Sequence, residues 1–244
     1  MNTKNKSFLL AAILVAAAIA GIAANGQSAF AAAGSRTNGI VFDKANFSNS
    51  LNINNSYFPL KSGTTFTYKG KSDGAPTKDV VVVTDKTKDI LGVTARVVHD
   101  TVYENGKAAE VTDDWYAQDN SGNVWYLGES TKDLESGSTE GSWEAGVNGA
   151  KPGIIMEVNP PQVGDTYYQE FLNGVAEDQA KVIQLDASVC VPYGCFNNVL
   201  ITKEFTALEP GVVDHKYYAP GVGDIKEETV QGGNEKLELV NIKT

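Results

Sequence analysis

Asp113-Asp114-Trp115-Tyr116-Ala117-Gln118-Asp119-Asn120-Ser121-Gly122-Asn123-Val124-Trp125-Tyr126-Leu127-Gly128-Glu129 is the stretch on which the fold turns. Two runs rich in aromatic residues, 115–118 and 124–127, flank the turn-forming residues 119–123. The segment therefore predicts a β-hairpin with Gly122 at positive φ.

Outward from this hairpin, short alternating runs separated by turn residues predict strands at 64–69, 79–85, 93–104, 108–118 and 123–128. A second series falls at 165–172, 179–185, 196–206, 212–219 and 224–229, and a last strand at 236–242. Asn105-Gly106 reads as a two-residue hairpin turn, because both residues tolerate the left-handed conformation of a type I′ turn. No segment after residue 31 has a sustained helical period, so at most one short helix is expected.

The two series match at an offset of 102. Gly92 meets Gly194, Val97-Val98 meets Val199-Leu200, Tyr103 meets Phe205, and Trp115-Tyr116-Ala117 meets Tyr217-Tyr218-Ala219. Any two alternating segments share some of this pattern, but here turn residues coincide as well as apolar ones, which points to two copies of one unit. The expected fold is all-β: an antiparallel meander of two pseudo-repeats of about five strands, forming an open half-barrel or a sandwich. Residues 57–129 and 161–229 are the repeats within a β-rich domain spanning 57–244. A Gly- and Pro-rich crossover, 130–160, joins them, and Trp143 is expected to plug one end of the core.

The N-terminus reads differently. Lys4 and Lys6 precede an apolar run from Phe8 to Ala24, and Ala29-Phe30-Ala31 offers small residues at a cleavage site, so residues 1–31 are expected to be a signal peptide. An uncleaved anchor is the rival, and is the one route to a membrane. Residues 32–56, rich in Gly, Ser, Thr and Asn, read as a flexible polar linker. A secreted or extracytoplasmic location follows from this arrangement.

The chain carries a formal charge of -10, with no basic cluster, which argues against a nucleic-acid partner. Cys190 and Cys195 bracket Val191-Pro192-Tyr193-Gly194; in an exported protein, two cysteines so close across a turn are expected to form a disulfide. Catalytic signals are thin. No Gly-x-Ser-x-Gly elbow accompanies His99 and His215. Asp113-Asp114 and Glu227-Glu228 are adjacent on strands, so one member of each pair is expected to face solvent. Residues 119–123 lack the spacing of a calcium loop. Neither metal nor cofactor is expected, and the protein reads as a non-enzyme.

Residues 114–119 with 122–129, then 141–146, 191–194 and 217–223, resemble a family of secreted β-rich proteins that carries no assigned reaction. The resemblance implies export and a β-rich domain, and carries over no catalytic residues. Two functions are expected. In the first, a non-catalytic domain binds an apolar or lipid-like small molecule on a curved sheet, with Trp115, Trp125, Trp143, Tyr217 and Tyr218 lining a concave apolar face. In the alternative, the aromatics are buried and the protein is a cell-surface structural or interaction module with a protein partner and no small-molecule ligand.

Overall fold

The computed structural model describes residues 40–157 and 161–244. The signal-peptide reading of 1–31, the first part of the linker (32–39) and residues 158–160 of the crossover lie outside the described residues. Among those described, one 3-10 turn, Lys44–Asn46, is the helical content, and Asp43 caps it by accepting from the Ala45 N–H at 2.9 Å. Strands account for the rest of the regular structure. They are β1 (Asn54–Asn55), β2 (Phe58–Pro59), β3 (Thr65–Ser72), β4 (Ala75–Ile90), β5 (Val93–Glu104), β6 (Lys107–Gln118), β7 (Val124–Asp133), β8 (Trp143–Glu144) and β9 (Gly153–Met156). The series continues with β10 (Thr166–Tyr168), β11 (Asp178–Val191), β12 (Gly194–Thr206), β13 (Val213–Ala219), β14 (Gly223–Gln231) and β15 (Lys236–Lys243).

β1 and β2 pair as a small ribbon, and the remaining strands form one antiparallel sheet in the order β10-β11-β12-β13-β14-β15-β3-β4-β5-β6-β7-β8, with β9 also on β7. The fold is thus the expected all-β antiparallel meander, with one non-sequential join. There the last strand returns to the first long one, from Lys236 opposite Lys71 to Lys243 opposite Thr65. At the far ends a single bridge, Lys151 to Phe171, ties the chain after β10 to the approach to β9. The sheet curls until its ends meet, yet no continuous ladder closes it into a barrel.

Bulges supply the curl, because an extra residue on one strand bends it and sharpens the twist. Register shifts fall between Val83 and Thr87 on β4 and across Trp115 on β6. In the second half they fall between Val182 and Val189 on β11 and between Tyr217 and Tyr218 on β13. The turns entering the two halves also correspond. Gly63 N–H donates to Val83 O and Val83 N–H to Thr64 O, at 2.8 and 2.9 Å; Gly164, Val182 and Asp165 make the same two bonds at the same distances.

Some boundaries differ from expectation. β4 and β11 run on through their bulges to Ile90 and Val191, because the ladder resumes in a new register, whereas β10 stops at Tyr168. Residues 40–56 are not a free linker. Phe42 and Phe47 pack on Trp125 at 5.3 and 6.1 Å between ring centroids, Ile53 is buried, and Gln118 Oε1 accepts from the N–H groups of Asn54 and Asn55, both at 2.8 Å.

The two seams each depend on a glycine. A Cβ at Gly70 would stand 1.7 Å from Lys236 O, and one at Gly153 would stand 1.9 Å from Gln169 O, so backbones approach there as only glycine permits. Gly70→Ala and Gly153→Ala are each expected to destabilise the fold by about 3 kcal/mol, through strain against an unyielding backbone. Urea denaturation measures this; a loss below about 0.5 kcal/mol at both positions, the scale of an ordinary surface change, would refute the seams as described.

Candidate functional site

The inside of the curled sheet is filled. Phe58 on β2 stands between Tyr116 and Tyr218, with ring centroids 5.3 and 6.4 Å away, and Tyr116 stacks on Tyr126 at 4.8 Å. The space left beside Phe58, Leu60, Tyr68 and Tyr116 is about 30 Å³, room for a single water. Among the rings sit acids: of the described residues, eleven Asp and Glu side chains are buried and one lysine, Lys216, is buried with them.

Protons take the place of cations. Tyr126 Oη lies 2.6 Å from Asp114 Oδ1 and 3.0 Å from Glu129 Oε2. A phenol has one hydrogen to donate, so it donates to one carboxylate and accepts from the other, which must be protonated. Asp79 and Asp100 hydrogen-bond to each other, as do Glu170 and Asp178, and each such contact also needs a proton. Burial pushes Asp79 up to about 7 and Asp114 up to about 8. Lys216 Nζ lies 3.3 Å from Glu204 and 3.7 Å from Glu227. Desolvation lowers its pKa, but these two carboxylates outweigh that and hold it above the ordinary value.

Two open clefts lie outside the filled core, one of about 590 Å³ between residues 51–62 and Pro220-Gly221 and a larger one on the β4 to β7 side. The larger is a trough of about 650 Å³, lined from β4 to β7 and the segment after β7 by Lys86, Lys88, Val97, Glu144 and Asn148. Trp115 and Trp143 form its floor, and Asp113, Ser130 and Ser142 add polar groups. Gly128, at φ 135°, makes the floor possible: a Cβ there would stand 2.4 Å from Trp143 O and 3.0 Å from the Trp115 ring. Lys88 Nζ stands 3.3 Å from the centre of the Trp115 ring and 2.7 Å from Glu144 Oε2. Leu91 and Val147 are exposed near one another. Leu91 adopts φ 52°, a conformation a leucine rarely takes, and lies where a Cβ on Gly146 would meet its Cδ2 at 2.5 Å.

Of the five aromatic residues expected on one concave face, the structure brings together Trp115 and Trp143. Both are mostly buried, and Trp143 donates from Nε1 to Glu170 while meeting Tyr126 edge-on. Trp125 lies under Phe42 and Phe47 and donates to Asp119 Oδ2 at 2.9 Å. Tyr218 is buried with its hydroxyl 3.2 Å from Glu204, and half-buried Tyr217 hydrogen-bonds Glu228 beneath the Lys226 ammonium. These three do not line the trough, and the single apolar face does not form. The alternation of each strand separates them, and their polar ends are taken by Asp119, Glu228 and Glu204.

One member of each adjacent pair faces outward, as expected: Asp113 and Glu228, while Asp114 and Glu227 are buried. Asp113 in turn holds His99: Nδ1 lies 2.7 Å from Asp113 Oδ1, and Thr101 Oγ1 lies 3.4 Å from Nε2. Asp119 spends its carboxylate on its own turn, accepting from Ser121 N, Asn123 N, Asn123 Nδ2 and Trp125 Nε1. Among the described residues no group of three or more His, Cys, Asp or Glu is placed to hold a metal ion. Cys190 and Cys195 form the expected disulfide across the β11–β12 turn.

The inward acids set the pH dependence of folding. Unfolded, Asp79 and Asp114 would titrate near 3.8; folded, they hold their protons to about 7 and about 8. The native state therefore binds more protons than the unfolded one in between, and stability falls as pH rises through that window. One carboxyl raised from 3.8 to about 7 withdraws roughly 4 kcal/mol by the time it ionises. Urea denaturation is expected to give a stability lower by at least roughly 2 kcal/mol at pH 8 than at pH 5; stability that rises across that interval would contradict the assignment.

No family model matches the chain, and no curated protein matches it. Among solved structures it is similar to a protein of Bacteroides fragilis described as exported and of YmcC-like fold, at 16% identity and a TM-score of 0.47, over 78% of this chain and 100% of that one. A protein of Parabacteroides distasonis described as a lipoprotein is similar at 15% identity and a TM-score of 0.45, over 78% of this chain and 99% of that one.

Proposed function

We propose that the protein is an extracytoplasmic, non-catalytic binding module that takes its ligand in the outer trough across β4 to β7 and not inside the sheet. The observation that carries this reading is the contrast between a filled interior, with about 30 Å³ beside Phe58, and an open trough of about 650 Å³ floored by two indoles. A trough walled by Lys86, Asp113, Ser130, Glu144 and Asn148 suits a polar ligand, since its charged and amide groups would be left unpaired by an apolar one. This replaces the apolar-ligand expectation with a polar one.

Export is supported by the N-terminal sequence and by a disulfide at an exposed hairpin tip. The paired turns and bulges of the two halves support their descent from one unit. For a non-catalytic role, the placement of His99 is the strongest support. Thr101 Oγ1 lies within long hydrogen-bond reach of Nε2, but β5 lies between β4 and β6 with its N–H groups engaged in pairing, so the ladder has none to offer an oxyanion. A second reading, a protein-interaction module, is favoured by Leu91 and Val147, exposed at 43% and 47%.

The test is NMR mapping with a panel of small probes: n-butylammonium, butyrate, glucose and, as the apolar member, n-hexane. A polar probe is expected to move the signals of Ser130, Ser142, Asn148 and the Trp115 indole together, and to leave the Trp125 indole still. Hexane moving Phe58 and Tyr116 would place the ligand inside and refute the reading, as would a panel that leaves the trough unmoved; the latter favours the interaction module.

A further inference from the structure

Resting on that reading, the trough also carries a chemical preference. Lys88 arrives on the part of β4 beyond its register shift, and its ammonium lies on the face of Trp115 with Glu144 as counter-ion, at 3.3 and 2.7 Å. An aromatic face backed by a carboxylate is the arrangement that selects an alkylammonium group. The chain's own lysine occupies it, yet weakly: the side chains of Lys88 and Glu144 are 34% and 33% exposed, and an ion pair so open to water adds little. An anion entering the same place would meet Glu144, Asp113 and the field of a chain of formal charge -10.

We propose that the trough binds a primary alkylammonium group, which exchanges with the Lys88 side chain on Trp115 and Glu144. Lys88 is then a built-in occupant that a ligand amine displaces. Its removal vacates the seat without altering the floor, so Lys88→Ala is expected to bind an alkylamine more tightly than the natural chain, by about tenfold.

The experiment titrates the wild-type protein, Lys88→Ala and the double variant Lys88→Ala, Glu144→Gln with n-butylammonium, following the three indole N–H signals by NMR. The Trp125 signal, buried under Phe42 and Phe47, reports that each variant is folded. Expected is a saturable shift at Trp115, reached at about tenfold lower amine concentration in Lys88→Ala and weakened again when Glu144 loses its charge. Butyrate and glucose are run alongside. If either shifts Trp115 while the amine does not, or if Lys88→Ala shows no gain, the ammonium preference is overturned and the binding-module reading stands. If none of the three probes reaches the trough in any variant, both fall.

Discussion

A buried acid without a cation must keep or share a proton, and the interior of this sheet is arranged around that constraint. Asp114 and Glu129 meet over the Tyr126 hydroxyl, while Asp79 meets Asp100 and Glu170 meets Asp178 directly. Lys216 serves the remaining cluster, between Glu204 and Glu227. Each shared proton lets a carboxyl sit against tyrosine rings and aliphatic side chains, and together with Lys216 these contacts link β4 to β5, β6 to β7, and β12 through β13 to β14 on the inside of the curl. An interior so bonded and so filled leaves about 30 Å³ beside Phe58, too little space to receive a ligand larger than water.

The curl that encloses those acids is also what opens the trough. Register shifts interrupt β4 beyond Val83 and β6 at Trp115, and the Lys88 ammonium lies over the Trp115 ring. Gly128 admits the Trp143 backbone, and Gly70 and Gly153 admit neighbouring backbones at the two seams. Closure, filling and the outer groove are thus parts of one geometry. A sheet with fewer bulges would be flatter, with its acids exposed and no groove on its back.

Much of this was legible in the sequence, for reasons specific to particular residues. β5 runs over 93–104 as read, because Leu91-Gly92 and Asn105-Gly106 each force a tight turn with positive φ at both residues. The disulfide and the hairpin around Gly122 were equally plain. Residues 40–56 misled because their apolar members, Phe42, Phe47 and Ile53, follow neither a strand nor a helix period; they pack as separate anchors between polar residues that bond to Gln118 and Asn120. The two-residue strand β8 is too short to show a period at all.

The site was less legible, since the trough draws on six separate segments. Only the bulges bring Lys88, Asp113, Trp115 and Glu144 together, and a bulge leaves little trace in a single sequence. The inward acids were hidden by the ordinary rule that a charged residue on an alternating strand faces water. Asp100 and Asp114 obey the alternation and break the rule, because each finds its partner on the neighbouring strand, where pairing sets Asp79 near Asp100 and Glu129 opposite Asp114.

The proton-sharing interior can be observed directly by following the side-chain carboxyl carbons of Asp79 and Asp114 by 13C NMR as a function of pH. The account predicts that both are still protonated at pH 6 and titrate near 7 and near 8. Carboxyl signals already fully ionised at pH 5 in the folded protein would contradict it.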